Sequence, residues 1–322
     1  MFFLTSAHAA GTEPQTGPIF ITIGTGSANG IYYPVGRTIC DMLRHDTENP
    51  RLLCSVERTA GSTHNLKYIA VGGLEFGLSQ SDQLGTAFKG TGEFKSPINK
   101  LRTVLSLYNE SLTVIVRADS SYHKFSDLKH KKISTGLPGS GGNTTMHVLM
   151  NYMNWDEDDI DEVASLSNIR ALTELGEKRV DAMVCTTGHP YKLLTAAAGE
   201  FALRLIPVKG AMVESLLKDS FAYNRTVIPG GFYRGITDPV ESFGVVATLV
   251  SSSEVDKAIV YRVVKAIFDN LDEFRKADPL LDRLTRINMA RRYRFAPLHA
   301  GSIEYFLQND LLDETTVPVT ER

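Results

Sequence analysis

The sequence predicts an α/β fold with two similarly wound lobes, and three observations lead to it. Short β-branched runs end in glycine-rich loops, and those loops lead into amphipathic segments. This strand–loop–helix order is written twice, once from Ile19 and again from Lys132. At 322 residues, 43% of them hydrophobic and 22% charged, the chain has the length of about two domains and ample material for a buried core, which excludes disordered and fibrous classes.

Taken in order, Ile19–Ile23 (IFITI) is a strand ending in the loop Gly24–Gly30. A helix follows over Tyr33–Leu43, with Ile39, Met42 and Leu43 on its apolar face. Leu52–Glu57 is the second strand, and Thr59–Ser62 turns into a helix over Thr63–Val71 that Gly72 and Gly73 stop. Glu75–Gln80 is a third strand; Leu101–Leu107 and Leu112–Val116 are two more. The pattern restarts with a strand at Lys132–Thr135, the loop Gly136–Asn143 and a helix over Thr144–Met153. A helix over Ile169–Leu175, closed by Gly176, precedes a strand at Asp181–Thr186. Phe243–Val250 reads as a strand, Glu254–Phe274 as a helix, and the remainder to Leu312 as a basic, proline-flanked tail of short helices. The segment TGSANG matches GSGGNT in role, which two doubly wound lobes would leave behind.

Thirty-four basic against 37 acidic residues give a net charge of -3, so no global field draws nucleic acid or an anionic membrane. The longest apolar run after the N-terminus, Phe243–Val250, falls far short of a membrane span, so a soluble mature chain is expected. Residues 1–17 read as a signal remnant and flexible lead-in: MFFLTSAHAA is apolar and ends in a small-x-small pattern. Three cysteines occur with no C-x-x-C. In an exported chain Cys40 and Cys54 pair across a short loop and Cys185 stays a buried thiol; in a cytosolic one all three are reduced.

The loops carry what chemistry there is. Gly24–Gly30 presents backbone amides at a helix start, where an anion is favoured. Its spacing, G-x-G-x-x-x-G, is one residue longer than the dinucleotide fingerprint, and the acid Glu57 comes late. Gly136–Asn143 has the glycines of a P-loop but Gly142 and Asn143 where its lysine and hydroxyl belong, which excludes a nucleotide triphosphatase. There is no G-x-S-x-G elbow and no paired histidine spacing, so the residues call for neither catalysis nor a metal or other cofactor. Asp156–Asp161 lacks an EF-hand's spacing and reads as a solvated helix start, and Arg283–Arg294 as an exposed helical face. Loops after strands and at helix starts are where open α/β sheets bind ligands, which places Ser27, Thr59, Ser62, Gln80, Ser140, Asn143 and Thr144 in one interlobe cleft. Gly26 and Gly141 let a ligand approach closely. Tyr32-Tyr33-Pro34 either stacks on the ligand, with Tyr33 as the contact, or plugs its helix against the sheet, and Gly188 with His189 follows a strand end where a contact is expected.

In series, several segments resemble one family. They are G-T-G-S-x-x-G-x-Y-Y-P (Gly24–Pro34), T-A-G-S-x-x-N-L (Thr59–Leu66), F-G-L-S-Q-S-D (Phe76–Asp82), D-L-K-x-K-K-I (Asp127–Ile133), G-S-G-G-N-T (Gly139–Thr144), Asp181-Ala182 and G-H-P (Gly188–Pro190). Together, over roughly Phe20 to Leu271, they are similar to the TAXI group of substrate-binding proteins of tripartite ATP-independent periplasmic (TRAP) transporters. Two departures stand out: Thr59-Ala60-Gly61-Ser62 where Thr-Gly-Gly-Ser is commoner, and Gly142 where threonine often follows directly. The resemblance implies a two-lobed, type II periplasmic binding protein whose cleft closes on a small carboxylate, either a glutamate-like amino acid or a 2-oxo dicarboxylate. It also implies handover to ion-gradient-driven TRAP membrane subunits, with the chain itself periplasmic and not membrane-spanning. Residues 18–109 with 239–322 are expected as lobe I and 110–238 as lobe II, joined by a two-strand hinge. Backbone amides and hydroxyls are expected to hold the carboxylate, with Arg58 or Arg117 as the competing cation. An NAD(P)-dependent enzyme built on Gly24–Gly30 is the alternative.

Overall fold

Two long strands, both apolar enough to be buried on each face, carry the architecture. The computed structural model describes residues 17–45, 51–163, 165–291 and 295–313. The export-signal reading of residues 1–16, and Arg292, Tyr293 and Arg294 of the basic tail, lie outside the described residues. The strands are β1 (Ile19–Gly24), β2 (Leu52–Glu57), β3 (Phe76–Gln80), β4 (Leu101–Arg117), β5 (Lys132–Ser134), β6 (Asp161–Val163), β7 (Ala182–Thr187), β8 (Leu203–Ile206), β9 (Asn224–Ile228) and β10 (Val240–Ser252). The helices are α1 (Tyr32–Arg44), α2 (Ser62–Ala70), α3 (Ser81–Lys89), α4 (Gly141–Tyr152), α5 (Asn168–Gly176), α6 (Lys192–Glu200), α7 (Ala211–Asp219), α8 (Lys257–Asp269), α9 (Leu271–Lys276), α10 (Arg286–Arg291) and α11 (Ala300–Gln308).

Among the described residues one mixed sheet runs β2-β1-β3-β10-β4-β7-β5-β6, with β8 also against β4 and β9 against β10. The pairs at its outer ends (β1–β2, β1–β3, β5–β6, β5–β7) are parallel, as strand–helix–strand windings require. The central pairs are antiparallel. The first part of β4 lies against β10, and from Ser111 onward it lies against β7. Likewise Val240–Gly244 of β10 pairs β9, while Ala247–Ser251 pairs β3. Both strands therefore run from one half of the sheet into the other. Gly244 marks where they meet: a Cβ there would sit 2.0 Å from the Glu110 carbonyl oxygen, so only glycine fits.

Each half is covered on both faces. In the first, Ile21, Ile23 and Phe76 pack with Ile39, Leu43 and Val264, while Leu66, Ile69 and Leu84 cover the other side. In the second, Val114 and Ile133 pack with Met146 and Leu149, and Ile115 and Met183 pack with Leu172 and Leu194. This is the α/β architecture expected, with corrections in detail. The two strands expected at Leu101–Leu107 and Leu112–Val116 are one, because Tyr108–Ser111 continues the ladder. The helix expected over Glu254–Phe274 is two, divided at Asn270, whose φ of -110° and ψ of 31° leave the helical region. Helices α3, α6 and α7 and strands β6, β8 and β9 were not anticipated, and the helix start expected at Asp156–Asp161 is a short turn that leads into β6.

Cys40 of α1 and Cys54 of β2 form a disulfide with their Cα atoms 5.0 Å apart. Cys185 is a free, buried thiol that burial pushes up to about 12, which makes it unreactive at neutral pH. The acidic Asp156–Asp159 turn caps itself through Asp156 and Asp159. In the basic tail, Arg286 and Arg291 donate to the carbonyls of Phe268 and Leu311, so these guanidiniums are structural. Among the described residues no helix is long and apolar enough to cross a membrane, and no cluster of histidine, cysteine or acidic residues could hold a metal ion.

Candidate functional site

Where β4 passes between the two halves, loops from both sides close around a pocket of about 140 Å3. The first half contributes Gly26, Ser27, Gly30–Tyr32, Thr59–Ser62 and Gln80; the second contributes Leu137, Ser140, Gly141, Ser167, Asn168, Thr186, Thr187 and Tyr191; Glu110 of β4 lies between them. The first residues of α1, α2, α4 and α5 all border this space. Four helix starts thus turn amides that have no partner within their helix, and the positive ends of their dipoles, toward one volume. Gly61 makes the turn into α2 with φ of 109°, a left-handed conformation that glycine adopts without strain.

Seven of the anticipated residues border the pocket: Gly26, Ser27, Thr59, Ser62, Gln80, Ser140 and Gly141. Several are already committed to the loops themselves. The Thr59 hydroxyl lies 2.8 Å from Asn65 Oδ1 and accepts from the Gly61 amide at 3.0 Å. Ser62 Oγ accepts from the Gln80 amide at 3.1 Å, and Ser140 Oγ caps α4 by accepting from the Asn143 amide at 3.4 Å. Gln80 lies against Gly141 from the opposite half, since a Cβ on Gly141 would fall 2.1 Å from the Gln80 amide carbon. A further buried contact joins the halves, the Tyr223 hydroxyl donating to Asp82 at 3.1 Å.

Five anticipated residues lie elsewhere. Asn143 is buried behind the loop and donates to Thr135 Oγ1 and Glu162 Oε1, both at 3.0 Å, tying α4 to β5 and β6. Thr144 returns its hydroxyl to the Ser140 carbonyl at 3.2 Å. Tyr33 borders a shallow outer hollow with Arg37, Asp41 and Lys192, and its neighbour Tyr32 takes the inward place. His189 lines a second cavity of about 270 Å3 that also includes Tyr108, Thr226, Leu280 and Arg283. Its ring nitrogens meet Thr113 Oγ1 and the Tyr233 hydroxyl, and burial holds it near 4, so it is a neutral structural imidazole at neutral pH. Gly188 packs on Leu280, whose side chain a Cβ would meet at 2.6 Å.

Tyr32 belongs with Tyr33 to the run expected to stack or plug; the residues that sequence reasoning missed are Glu110, Asn168, Thr186 and Tyr191. Glu110, 4% exposed, accepts from the Tyr32 hydroxyl at 2.9 Å. Burial above all, with the neighbouring Asp82 charge, pushes its carboxyl up to about 8 against the opposing hydrogen bonds from Tyr32 and Gln80. Two further oxygens here, Gln80 Oε1 and Thr186 Oγ1, are buried without a hydrogen-bond partner. Among the described residues no lysine, arginine or histidine borders the pocket. Arg117 is held elsewhere by Asp119 at 2.9 Å and the Gly176 carbonyl at 2.7 Å, and Arg58 is exposed.

A mixed sheet in two halves, crossed by two strands and with a donor-rich pocket between the halves, defines the type II periplasmic binding-protein class. The chain belongs to the NMT1-like family, whose family model matches residues 23–308. Solved structures share the fold at low identity. The periplasmic binding protein BugD has a TM-score of 0.55 at 15% identity, over 84% of this chain and 88% of that one. A structure concerning glutathione import via GshT and the cystine ABC importer TcyBC of Streptococcus mutans scores 0.51 at 8%, over 82% and 95%. An ATP-bound protein of Xanthomonas citri scores 0.50 at 12%, over 90% and 94%. The antiparallel β3–β10 and β10–β4 pairs at the centre of the sheet also depart from the mostly parallel dinucleotide-binding sheet that the NAD(P)-dependent alternative needs.

Proposed function

We propose that this chain is an exported solute-binding protein that captures a small carboxylate between its two lobes and delivers it to the membrane subunits of a TRAP transporter. The observation that carries the reading is the convergence of four helix starts, two from each half, on one pocket that no basic side chain among the described residues lines. Backbone amides share a carboxylate's charge among several donors, and helix dipoles add to the attraction, so a full counter-charge is not needed. Ser27, Thr59, Ser62, Gln80, Ser140 and Gly141 border the ligand in this reading. Residues 18–109 with 239–322 form lobe I, 110–238 form lobe II, and β4 and β10 are the hinge.

The TRAP partner is supported by the run of TAXI-like loops, and delivery to membrane subunits in general by one neighbour named for an ABC importer. A periplasmic location is supported by the Cys40–Cys54 disulfide, which persists in oxidising compartments. A thermal-shift screen of amino acids, 2-oxo acids and NAD(P) tests the reading. A carboxylate at 100 times its dissociation constant adds about 2.7 kcal/mol to stability. Stabilisation by NAD(P) alone favours the enzyme alternative and removes this one.

A further inference from the structure

We propose that Glu110 receives a protonated amine of the ligand, so that the cleft selects an α-amino acid over the matching 2-oxo acid. The inference deepens the reading above and rests on it. The helix starts supply donors to one end of a ligand, but the space around Glu110 is rich in acceptors. Glu110 itself has lone pairs beyond those that Tyr32 and Gln80 occupy, and Gln80 Oε1 and Thr186 Oγ1 have no partner. Among the described residues no basic side chain of the pocket answers them. Buried acceptors left unpaired are costly, and an ammonium group supplies three donors. If Glu110 served only to orient Tyr32, an uncharged amide would do it without the cost of burying an acid.

The charge balance follows. In the empty cleft Glu110 keeps its proton at neutral pH, because burial pushes it to about 8. When an ammonium group seats beside it, the carboxyl ionises, its proton leaves to solvent, and a carboxylate–ammonium pair remains. Amino-acid affinity therefore rises with pH up to about 8, approaching tenfold per pH unit. A 2-oxo carbonyl accepts only, so it needs the protonated acid as a donor, and its affinity falls as pH passes 8. The other titratable groups facing Glu110 are Asp82 on α3, Tyr32 on α1, Tyr108 on β4 and Cys185 on β7. Burial pushes both tyrosines further above their usual range and Cys185 to about 12, so these three stay neutral throughout. Asp82 is raised by burial while Gln83 and Tyr223 bond it, and its charge is one of the causes of the rise at Glu110.

Calorimetry with three matched pairs decides the matter: L-glutamate with 2-oxoglutarate, L-aspartate with oxaloacetate, and L-leucine with 4-methyl-2-oxopentanoate. For the pair that binds, the amino acid is expected to bind at least about tenfold more tightly at pH 7, with close to one proton released per molecule bound. Glu110→Gln is expected to weaken the amino acid at least about tenfold and flatten its pH dependence, leaving the 2-oxo acid within about threefold. If Glu110→Gln does not fold, the proton release and the pH dependence of amino-acid binding by the unaltered protein carry the test. Tighter binding of the 2-oxo acid, or binding without proton release, overturns the role of Glu110 while the carboxylate site stands. If no amino or 2-oxo acid binds, the carboxylate reading falls and this inference with it.

Discussion

Replacing Glu110 by glutamine in the ligand-free protein changes its stability in a direction and pH window that the structure fixes. The glutamine keeps the shape and still accepts the Tyr32 hydroxyl, but it removes an acid whose carboxyl lies at about 8 when folded against 4.5 in its ordinary setting. An acid raised on folding holds its proton more tightly in the native state. Its contribution is full below about 4.5, is lost as pH rises, and levels off above about 8. Each pH unit in that window is worth about 1.4 kcal/mol, so wild-type stability falls by roughly 5 kcal/mol across it. The variant lacks this slope and becomes the more stable protein at pH 8, with the advantage vanishing toward pH 4.5. Urea unfolding followed by the fluorescence of the single tryptophan, Trp155, at half-unit pH steps measures both profiles. Parallel profiles across the window would mean that Glu110 is ionised in the empty cleft, and the reasoning would be wrong.

Four other perturbations have definite outcomes. Serine at both Cys40 and Cys54 costs about 3 kcal/mol in the chain-entropy account of a loop of this length, and a reductant lowers the wild-type melting temperature to that of the variant. Gly142→Ala places a Cβ 3.0 Å from the Cys185 Cα and 3.1 Å from the Thr186 amide, so chemical denaturation shows a loss of about 1–3 kcal/mol; Gly199→Ala, in a helix with open space around it, gains up to about 1 kcal/mol. Tyr223→Phe leaves buried Asp82 without a donor from the other half and costs about 1–3 kcal/mol by urea unfolding at pH 7. Arg117→Ala lowers stability by about 1 kcal/mol but leaves ligand affinity by calorimetry unchanged, since its guanidinium is spent on Asp119 and Gly176.

The strand–glycine loop–helix order was readable because glycines, hydroxyl residues and β-branched runs act locally. The loops Gly24–Gly30, Thr59–Ser62 and Gly139–Asn143 stand at helix starts for that reason. Glu110 was hidden by the same logic. Asn109-Glu110-Ser111 interrupts an apolar run and reads as a break between strands, whereas β4 passes straight through it. The polarity of that triplet belongs to the space between the halves, which pairing with β10 and β7 creates and no local window contains. Tyr33 and Tyr32 differ by one residue, which on a helix is a turn of 100° and a different face; α1 starts at Tyr32 and turns that ring inward. Asn143 and His189 were recognisable as loop residues, but their partners Glu162, Thr113 and Tyr233 are distant in the sequence. The division between α8 and α9 falls at an asparagine and carries no glycine or proline to announce it.

A crystal structure of the protein saturated with the tightest-binding acid from the calorimetry tests the interlobe site most directly. Density for the ligand is expected between Ser27–Tyr32, Thr59–Ser62 and Ser140–Gly141, with its carboxylate on the amides that begin α2 and α4 and its amine against Glu110. Density in the cavity beside Tyr108, His189 and Arg283 instead, with the first pocket empty, would contradict the account.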